Sequence, residues 1–287
     1  MTPQLIWQSF VNGFALGWLY ILMALGLSLI FGITRIMQFA HGELYMLGGY
    51  VVYLLTASLH LNLFLSIILA MVVVGAFGLL LYIGLFRRYT GQMVNPIIIS
   101  VGLTLILQSA VVVTFGITQR SLPRLAEGGL SLFGSPVPKD RLVVVAVALA
   151  LVVALYAALK KHRYGQAMVA SVQSPEGAQL QGINLKLMGG LSMFTASALA
   201  AAGGALAGSV FQLTPYMGVQ PLVKGLVIIV LGGLGSVPGV VVGGIFLGLL
   251  DGLAPVVLGA GWASILPLLV VMAVLLVRPT GLWGYGR

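Results

Sequence analysis

The strongest constraint on this chain is a succession of apolar stretches, each near the length that crosses a lipid hydrocarbon core. About 20 apolar residues in a helix span that core. Phe10–Ile33, Leu61–Phe86, Pro96–Ile117, Leu142–Leu159 and Leu187–Leu213 all fall in that range. Two further regions, Ile36–Leu59 and Leu222–Leu250, are apolar but interrupted by Gly, Pro or charge, and a shorter one, Ile265–Val277, begins near Trp262. Backbone groups in lipid must bond within the protein, and runs this continuous suit helices rather than the alternating strands of a barrel. The expectation is therefore all-α: a polytopic membrane helical bundle of about eight membrane segments, one or two of them broken or re-entrant. No linker divides residues 1–287, so one transmembrane domain is expected.

Composition agrees. With 60% hydrophobic and 7% charged residues and a mean hydropathy of +1.13, the chain carries more apolar residues than a soluble core could bury. No basic region precedes the first apolar run, MTPQLIWQSF, so no cleaved signal peptide is expected. Cysteine is absent, which excludes disulfides and thiolate metal sites. The net charge of +9 would suggest nucleic acid in a soluble protein. Here the basic residues sit mostly at span ends, where they meet lipid headgroups and set topology.

Two long polar loops carry that charge: Thr118–Arg141, with Arg120, Arg124, Lys139 and Arg141, and Lys160–Lys186, with Lys160, Lys161, Arg163 and Lys186. They lie on opposite sides and tie under the positive-inside count. Arg87 and Arg88 break the tie and place Lys160–Lys186 in the cytoplasm and the N-terminus outside. Arg278 and Arg287 follow to the cytoplasm if Leu222–Leu250 dips in and returns.

Lys160–Lys186 contains a short helix with its own start and stop. Ser174 can cap the first turn, Pro175 suits the first helical position, and Glu176 favours the positive end of the helix dipole. Gly182 supplies a left-handed stop. A helix of about two turns is not stable alone and needs a surface to lie against, which is either lipid headgroups or a partner protein.

Inside the second segment lies Gln38-Phe39-Ala40-His41-Gly42-Glu43. An ionisable residue at membrane depth is a functional hypothesis by default. Gly42 suggests a frayed helix there, with freed backbone groups facing a cavity. His41 and Glu43 are two apart and share no helix face, which argues against a catalytic pair or a metal site. Two roles remain: stitching the break by pairing with Arg35, or lining a translocation path. Gln38, His41, Gly42 and Glu43, with Asn12 in the first span, are the path candidates.

Gly232-Gly233-Leu234-Gly235-Ser236-Val237-Pro238-Gly239 is like a phosphate loop only in glycine content; no strand precedes it and no Gly-Lys-Ser/Thr closes it. A bent or re-entrant segment through Gly232, Gly233, Gly235 and Gly239 accounts for it better. Lys224 and Asp251 bracket it as interface anchors. Gly48-Gly49 and Gly243-Gly244 echo one another faintly, as corresponding places in two transporter halves do. Gly13/Gly17, Gly204/Gly208 and Gly244/Gly248/Gly252 are small-residue stripes for close helix packing, at least one of them available to a second membrane subunit.

No Walker sequence, acidic relay, Ser/His/Asp set or HExxH occurs, so ATP chemistry would belong to another chain and no catalytic residue is assigned.

Glu176-Gly177-Ala178-Gln179-Leu180-Gln181-Gly182 fits the E-x-A-x-x-x-G pattern and resembles the coupling loop of bacterial ABC importer permeases. Gln38–Glu43 with Tyr45-Met46, Leu231–Gly239, and Arg278-Pro279-Thr280-Gly281-Leu282 resemble three stretches of the branched-chain amino acid permease family, over nearly the whole chain, and its LivH-like more than its LivM-like subunit. The resemblance implies a membrane subunit of an ATP-driven importer of hydrophobic amino acids in the bacterial inner membrane. Its implied partners are a homologous LivM-like permease subunit, two ATPase subunits that hold ATP and magnesium, and a periplasmic substrate-binding protein. Related permeases are assigned to urea, short amides and carboxylates, so these remain the alternative substrates, and a carrier or channel acting alone is the alternative class. Ser174, Pro175, Glu176, Gly177, Ala178, Leu180 and Gly182 would dock on the ATPase. Gly177 departs from the broader pattern, where alanine is usual, and loosens the helix by about 1 kcal/mol.

Overall fold

The computed structural model describes residues 3–92, 94–132, 135–233, 235–259 and 261–277. Every expected apolar stretch contains a helix, with 36–40 and 211–213 among the residues left outside the helical parts. The five clear spans are α1 (Pro3–Thr34), α3 (Leu63–Leu81), α4 (Val94–Phe115), α5 (Lys139–Lys161) and α8 (Leu185–Val210); the interrupted Ile36–Leu59 holds α2 (His41–Ser58), and the short last stretch is α11 (Trp262–Val277). Leu222–Leu250 is two helices rather than one, α9 (Val219–Gly232) and α10 (Val237–Val257). Among the described residues six helices are long and apolar enough to cross a membrane: α1, α3 with its continuation to Tyr89, α4, α5, α8 and α10. The Pro-Thr-Gly ending, Arg278–Leu282, lies outside the described residues, as does Leu234.

Two features were not expected. The loop Thr118–Arg141 holds a short hairpin, β1 (Gly129–Leu132) with β2 (Ser135–Pro138), paired antiparallel. Lys160–Lys186 holds two helices, α6 (Arg163–Gln173) and α7 (Pro175–Leu180), where the sequence suggested one. The start of α6 is capped by the His162 ring, whose Nδ1 accepts from the Tyr164 N–H at 3.4 Å. Histidine is not among the favoured N-caps, so no sequence signal marks that helix.

The bundle is centred on α1 and α8, of whose most apolar windows 78% and 83% are buried, against 17% for α4. They run antiparallel: Thr34 lies against Gly189, Gly26 against Ala196, and Leu22 against Gly203. Around this pair the packing is reciprocal. Helices α9 and α10 lie along α1, whereas α2 and α3 lie along α8. The order α1-α2-α3 thus recurs as α8-α9-α10 in the opposite direction, the arrangement of an inverted repeat. The echo expected between Gly48-Gly49 and Gly243-Gly244 is therefore misplaced, because the counterpart of α2 is α9 and that of α10 is α3.

The glycine stripes are used inside the chain. Gly13 and Gly17 lie directly on Gly244, Gly248 and Gly252, so that a Cβ added at Gly13 would come within 2.7 Å of the Gly248 carbonyl oxygen. Gly204 and Gly208 meet Tyr45, Leu213 and Leu122. All three stripes are filled by the chain's own helices, and none is left for a second subunit.

Candidate functional site

Two helices, α2 of 18 residues and α9 of 14, start inside the bundle and meet there. At the end of α1 the Thr34 hydroxyl donates to the Ile30 carbonyl at 2.6 Å and accepts from the Ile36 N–H at 3.3 Å, while Arg35 takes a left-handed conformation (φ 57°). Residues 35–40 then fold back, tied to α4 by the Phe39 N–H donating to Ser100 Oγ at 3.2 Å. Helix α2 starts at His41, whose ring lies against Gly26. At 1.5 Å per residue, Gly26 is about 12 Å back from the end of α1. The other half does the same. After α8, residues 211–218 return into the bundle, pinned at Leu213 by reciprocal backbone bonds with Arg120 (2.8 and 3.1 Å), and α9 starts at Val219. Gly218 abuts Gly42 so closely that a Cβ on either would overlap the other's carbonyl group.

The interruption of the second segment is therefore not at Gly42. It lies at residues 35–40, and Gly42 sits within the first turn of α2, where its missing side chain admits the backbone of Gly218. Two helix N-termini, each with a partial positive charge, converge inside the bundle beside Gly26 of α1.

The Gln38–Glu43 stretch is buried here, and its polar groups are under-satisfied. His41 is fully buried and Gln38 nearly so, and neither side chain has a hydrogen-bond partner among the described residues. Glu43 Oε1 accepts from Gln108 Nε2 of α4 at 2.8 Å, whereas Oε2 has no partner among them. The expected pairing with Arg35 does not form, because Arg35 is exposed beyond the end of α1. Replacing Gln108 by leucine should leave a buried carboxyl group without its donor and destabilise the chain by about 1–3 kcal/mol, measured as a lower melting temperature in detergent.

Asn12 stands apart from this group. It lines a cleft of about 200 Å³ with Gln8, Pro136 and Arg141 beside the β-hairpin. Fourteen residues separate it from Gly26 along α1, about 21 Å. A second cleft, of about 170 Å³, opens beside the start of α9 and is lined by Leu16, Leu19, Tyr20, Tyr45, Gln212 and Gln220 among others.

Lys224 and Asp251 are not separate interface anchors. Lys224 Nζ donates to Asp251 Oδ1 at 2.7 Å, and the Tyr20 hydroxyl donates to Asp251 Oδ2 at 3.0 Å. The α9–α10 turn brings them together. Gly233 (φ +91°) ends α9, the Gly235 N–H donates to Ser28 Oγ at 3.2 Å, and Ser236 caps α10 by accepting from the Gly239 N–H. Gly232 lies on Gly239, backbone to backbone. These glycines form a tight turn where α9 and α10 meet, beside Val172 of α6, and the discontinuities inside the bundle lie elsewhere, at 35–40 and 211–218.

Helix α7 projects from that same end. Ser174 Oγ accepts from the Gly177 N–H at 3.1 Å, and Pro175 occupies the first turn. At the far end Ile183 N–H donates to the Ala178 carbonyl and Gly182 N–H to the Gln179 carbonyl, with Gly182 at φ +80°, which is a Schellman stop. Ala178 is buried against the chain, whereas Glu176 and Gln179 are exposed and Leu180 is 88% exposed. Asn184, which sequence reasoning passed over, caps the next helix by accepting from the N–H groups of Lys186 and Leu187. The signal was available, since asparagine is a favoured N-cap before an apolar run. Among the described residues, no group of three or more His, Asp or Glu is placed to hold a metal ion.

Six apolar helices of spanning length, antiparallel central helices and inverted halves with helices that begin inside the bundle are the architecture of a multi-pass membrane protein, and the family match makes its class that of a transport permease. The chain belongs to the family described as branched-chain amino acid transport system / permease component, whose profile matches residues 9–275. It is 30% identical over 301 residues to the high-affinity branched-chain amino acid transport system permease protein LivH of Escherichia coli K12, covering 99% of this chain and 98% of the relative. The corresponding permease protein BraD of Pseudomonas aeruginosa is 28% identical over 292 residues, covering 96% and 95%. A probable branched-chain amino acid transport permease protein LivH of Methanocaldococcus jannaschii is 27% identical over 283 residues, covering 93% and 89%. No solved structure gives a significant match.

Proposed function

We propose that this chain is the transmembrane permease subunit of an ATP-driven ABC importer that moves branched-chain, hydrophobic amino acids across a bacterial inner membrane. The observation that carries the reading is α7, a six-residue helix fixed at both ends, seated on the body through Ala178 and presenting Glu176, Gln179 and Leu180 outward. A rigid knob of this kind can transmit the closure of a docked ATPase as a rigid-body movement of the helices. The partners on this reading are a LivM-like permease subunit, two ATPase subunits that bind ATP and magnesium, and a periplasmic binding protein. The names of the relatives support the substrate class.

Helices α2 and α9, which begin inside the bundle, supply the path. Their N-termini converge where a substrate carboxylate would be favoured, and Gln38, His41 and Glu43 stand beside them. The chain is expected to co-purify from membranes with a nucleotide-binding subunit, and the reconstituted complex to take up radiolabelled leucine only when ATP is supplied. Leucine flux through the purified chain alone, without ATP, would instead make it a carrier or channel.

A further inference from the structure

Within the proposed path, one charged cluster has no part in the docking of an ATPase. Lys224, Asp251 and Tyr20 come from α9, α10 and α1, and the side chains of Lys224 and Asp251 are only 11% and 10% exposed. Tyr20 is the eighteenth of the thirty-two residues of α1, so the cluster stands about half-way along the central helix. An ion pair at that depth costs desolvation that its own attraction offsets only in part, and two apolar residues of similar volume would hold α9 to α10 as well or better. Its position supplies another use.

Tyr20 is shared with the cleft of about 170 Å³ beside the start of α9. Tyr20 lines the cleft and its hydroxyl donates to Asp251, so that Asp251 and Lys224 stand behind the lining residues rather than among them. Gln220 and Pro221 line the same cleft, and Lys224 follows Gln220 by one helical turn. Leu16, Leu19, Tyr45 and Met217 make the rest of the wall largely apolar, and Gln212 and Gln220 add two amides. The cleft is smaller than the 300 Å³ or so at which drug-sized pockets begin, which suits a ligand of few heavy atoms.

We infer that Lys224 and Asp251 recognise the two charged groups of an amino-acid zwitterion as it passes this cleft. The inference rests on the amino-acid reading above and extends it by naming the contacts. Paired with one another, the cation and the carboxylate are neutralised. With substrate present, the α-carboxylate takes Lys224 and the α-ammonium takes Asp251, while the aliphatic side chain lies on Leu16, Leu19 and Tyr45. The exchange replaces one ion pair by two, so no charge is left unpaired at depth. A neutral amide or urea offers no charge to either group and leaves the pair closed. Tyr20 is a positioning residue, joining the wall of the cleft to the Asp251 carboxylate through its hydroxyl.

The test uses the complete importer in proteoliposomes, with the binding protein loaded and saturating, and compares uptake of leucine with that of 4-methylpentanamide, an uncharged amide. Lys224→Met and Asp251→Asn should each slow leucine uptake roughly thirtyfold. The double variant Lys224→Asp with Asp251→Lys restores the pair in reverse and should assemble yet remain slow, because the charges then face the substrate the wrong way round. Leucine uptake at the wild-type rate in the double variant, or in either single variant, would reduce the pair to a structural clamp and overturn the inference. Should these variants fail to assemble, Tyr20→Phe decides, since it removes a single hydroxyl: a severalfold slower uptake is expected, and an unchanged rate overturns the inference. A wild-type importer that moves the amide and not leucine overturns both this inference and the amino-acid reading. Wild-type leucine uptake with unaffected variants overturns the inference alone.

Discussion

Replacing Leu180 by aspartate is expected to abolish ATP-driven uptake while leaving the chain folded. Leu180 is 88% exposed on α7, outside the apolar spans, so the folded chain loses almost no packing when it is replaced. A surface substitution of this kind changes stability by no more than about 0.5 kcal/mol. In a docked complex the same side chain would be an apolar anchor, and putting a carboxylate in its place would remove about 2 kcal/mol or more of binding free energy, roughly a thirtyfold loss of affinity. The measurement has two arms: the melting temperature of the purified chain, expected to be unchanged, and recovery of the ATPase subunit on affinity purification, expected to be lost. Retained ATPase and normal uptake would remove α7 from the coupling role. Ala178 is less suited to such an experiment. It is buried against the chain's own helices, so a bulky residue there would disturb the seat of α7 and the docking face at once.

The second large effect is expected where the starts of α2 and α9 meet. Gly218→Val places a branched side chain where the Gly42 backbone already lies. A backbone cannot rotate out of the way as a side chain can, so the overpacking cost should reach the upper end of its usual range, about 3 kcal/mol or more. The chain should accumulate poorly in membranes and melt at a markedly lower temperature. Gly102→Ala in α4 is the control. An added Cβ there meets nothing within 4 Å, and the expected change is between zero and a gain of about 1 kcal/mol from helix propensity. Equal behaviour of the two variants would mean that α2 and α9 are not in backbone contact.

How far the sequence could be read depended on how local each feature is. The ends of α7 were legible because capping is decided by residues within one turn: Ser174, Pro175 and Gly182 each carry a conformational preference of their own. The resemblance to the family was likewise carried by short contiguous motifs. The pairing of Lys224 with Asp251 was not legible, since the two are 27 residues apart and meet only because α9 and α10 turn back on one another through Gly233 and Gly235. The break at 211–218 was missed for a related reason: Phe211 and Leu213 extend the apolar run of α8, and hydropathy does not distinguish a helix from an extended segment buried among helices. Glu43 was singled out correctly as a buried acid, but its partner, Gln108, is 65 residues away on another helix.

By itself the sequence determined that this chain is a helical membrane protein, where its long helices run, and which short helix stands capped at one end. Those properties follow from apolar length and from residues within a turn of one another. Only the tertiary structure decided that the halves are inverted about α1 and α8, that two helices begin inside the bundle at Gly42 and Gly218, and that a tyrosine, a lysine and an aspartate from three helices meet at mid-depth. The physical reason is the solvent. In lipid both the buried and the outward faces of a helix are apolar, so hydrophobic periodicity no longer marks which face meets which, and the choice falls to steric fit and a few buried polar contacts.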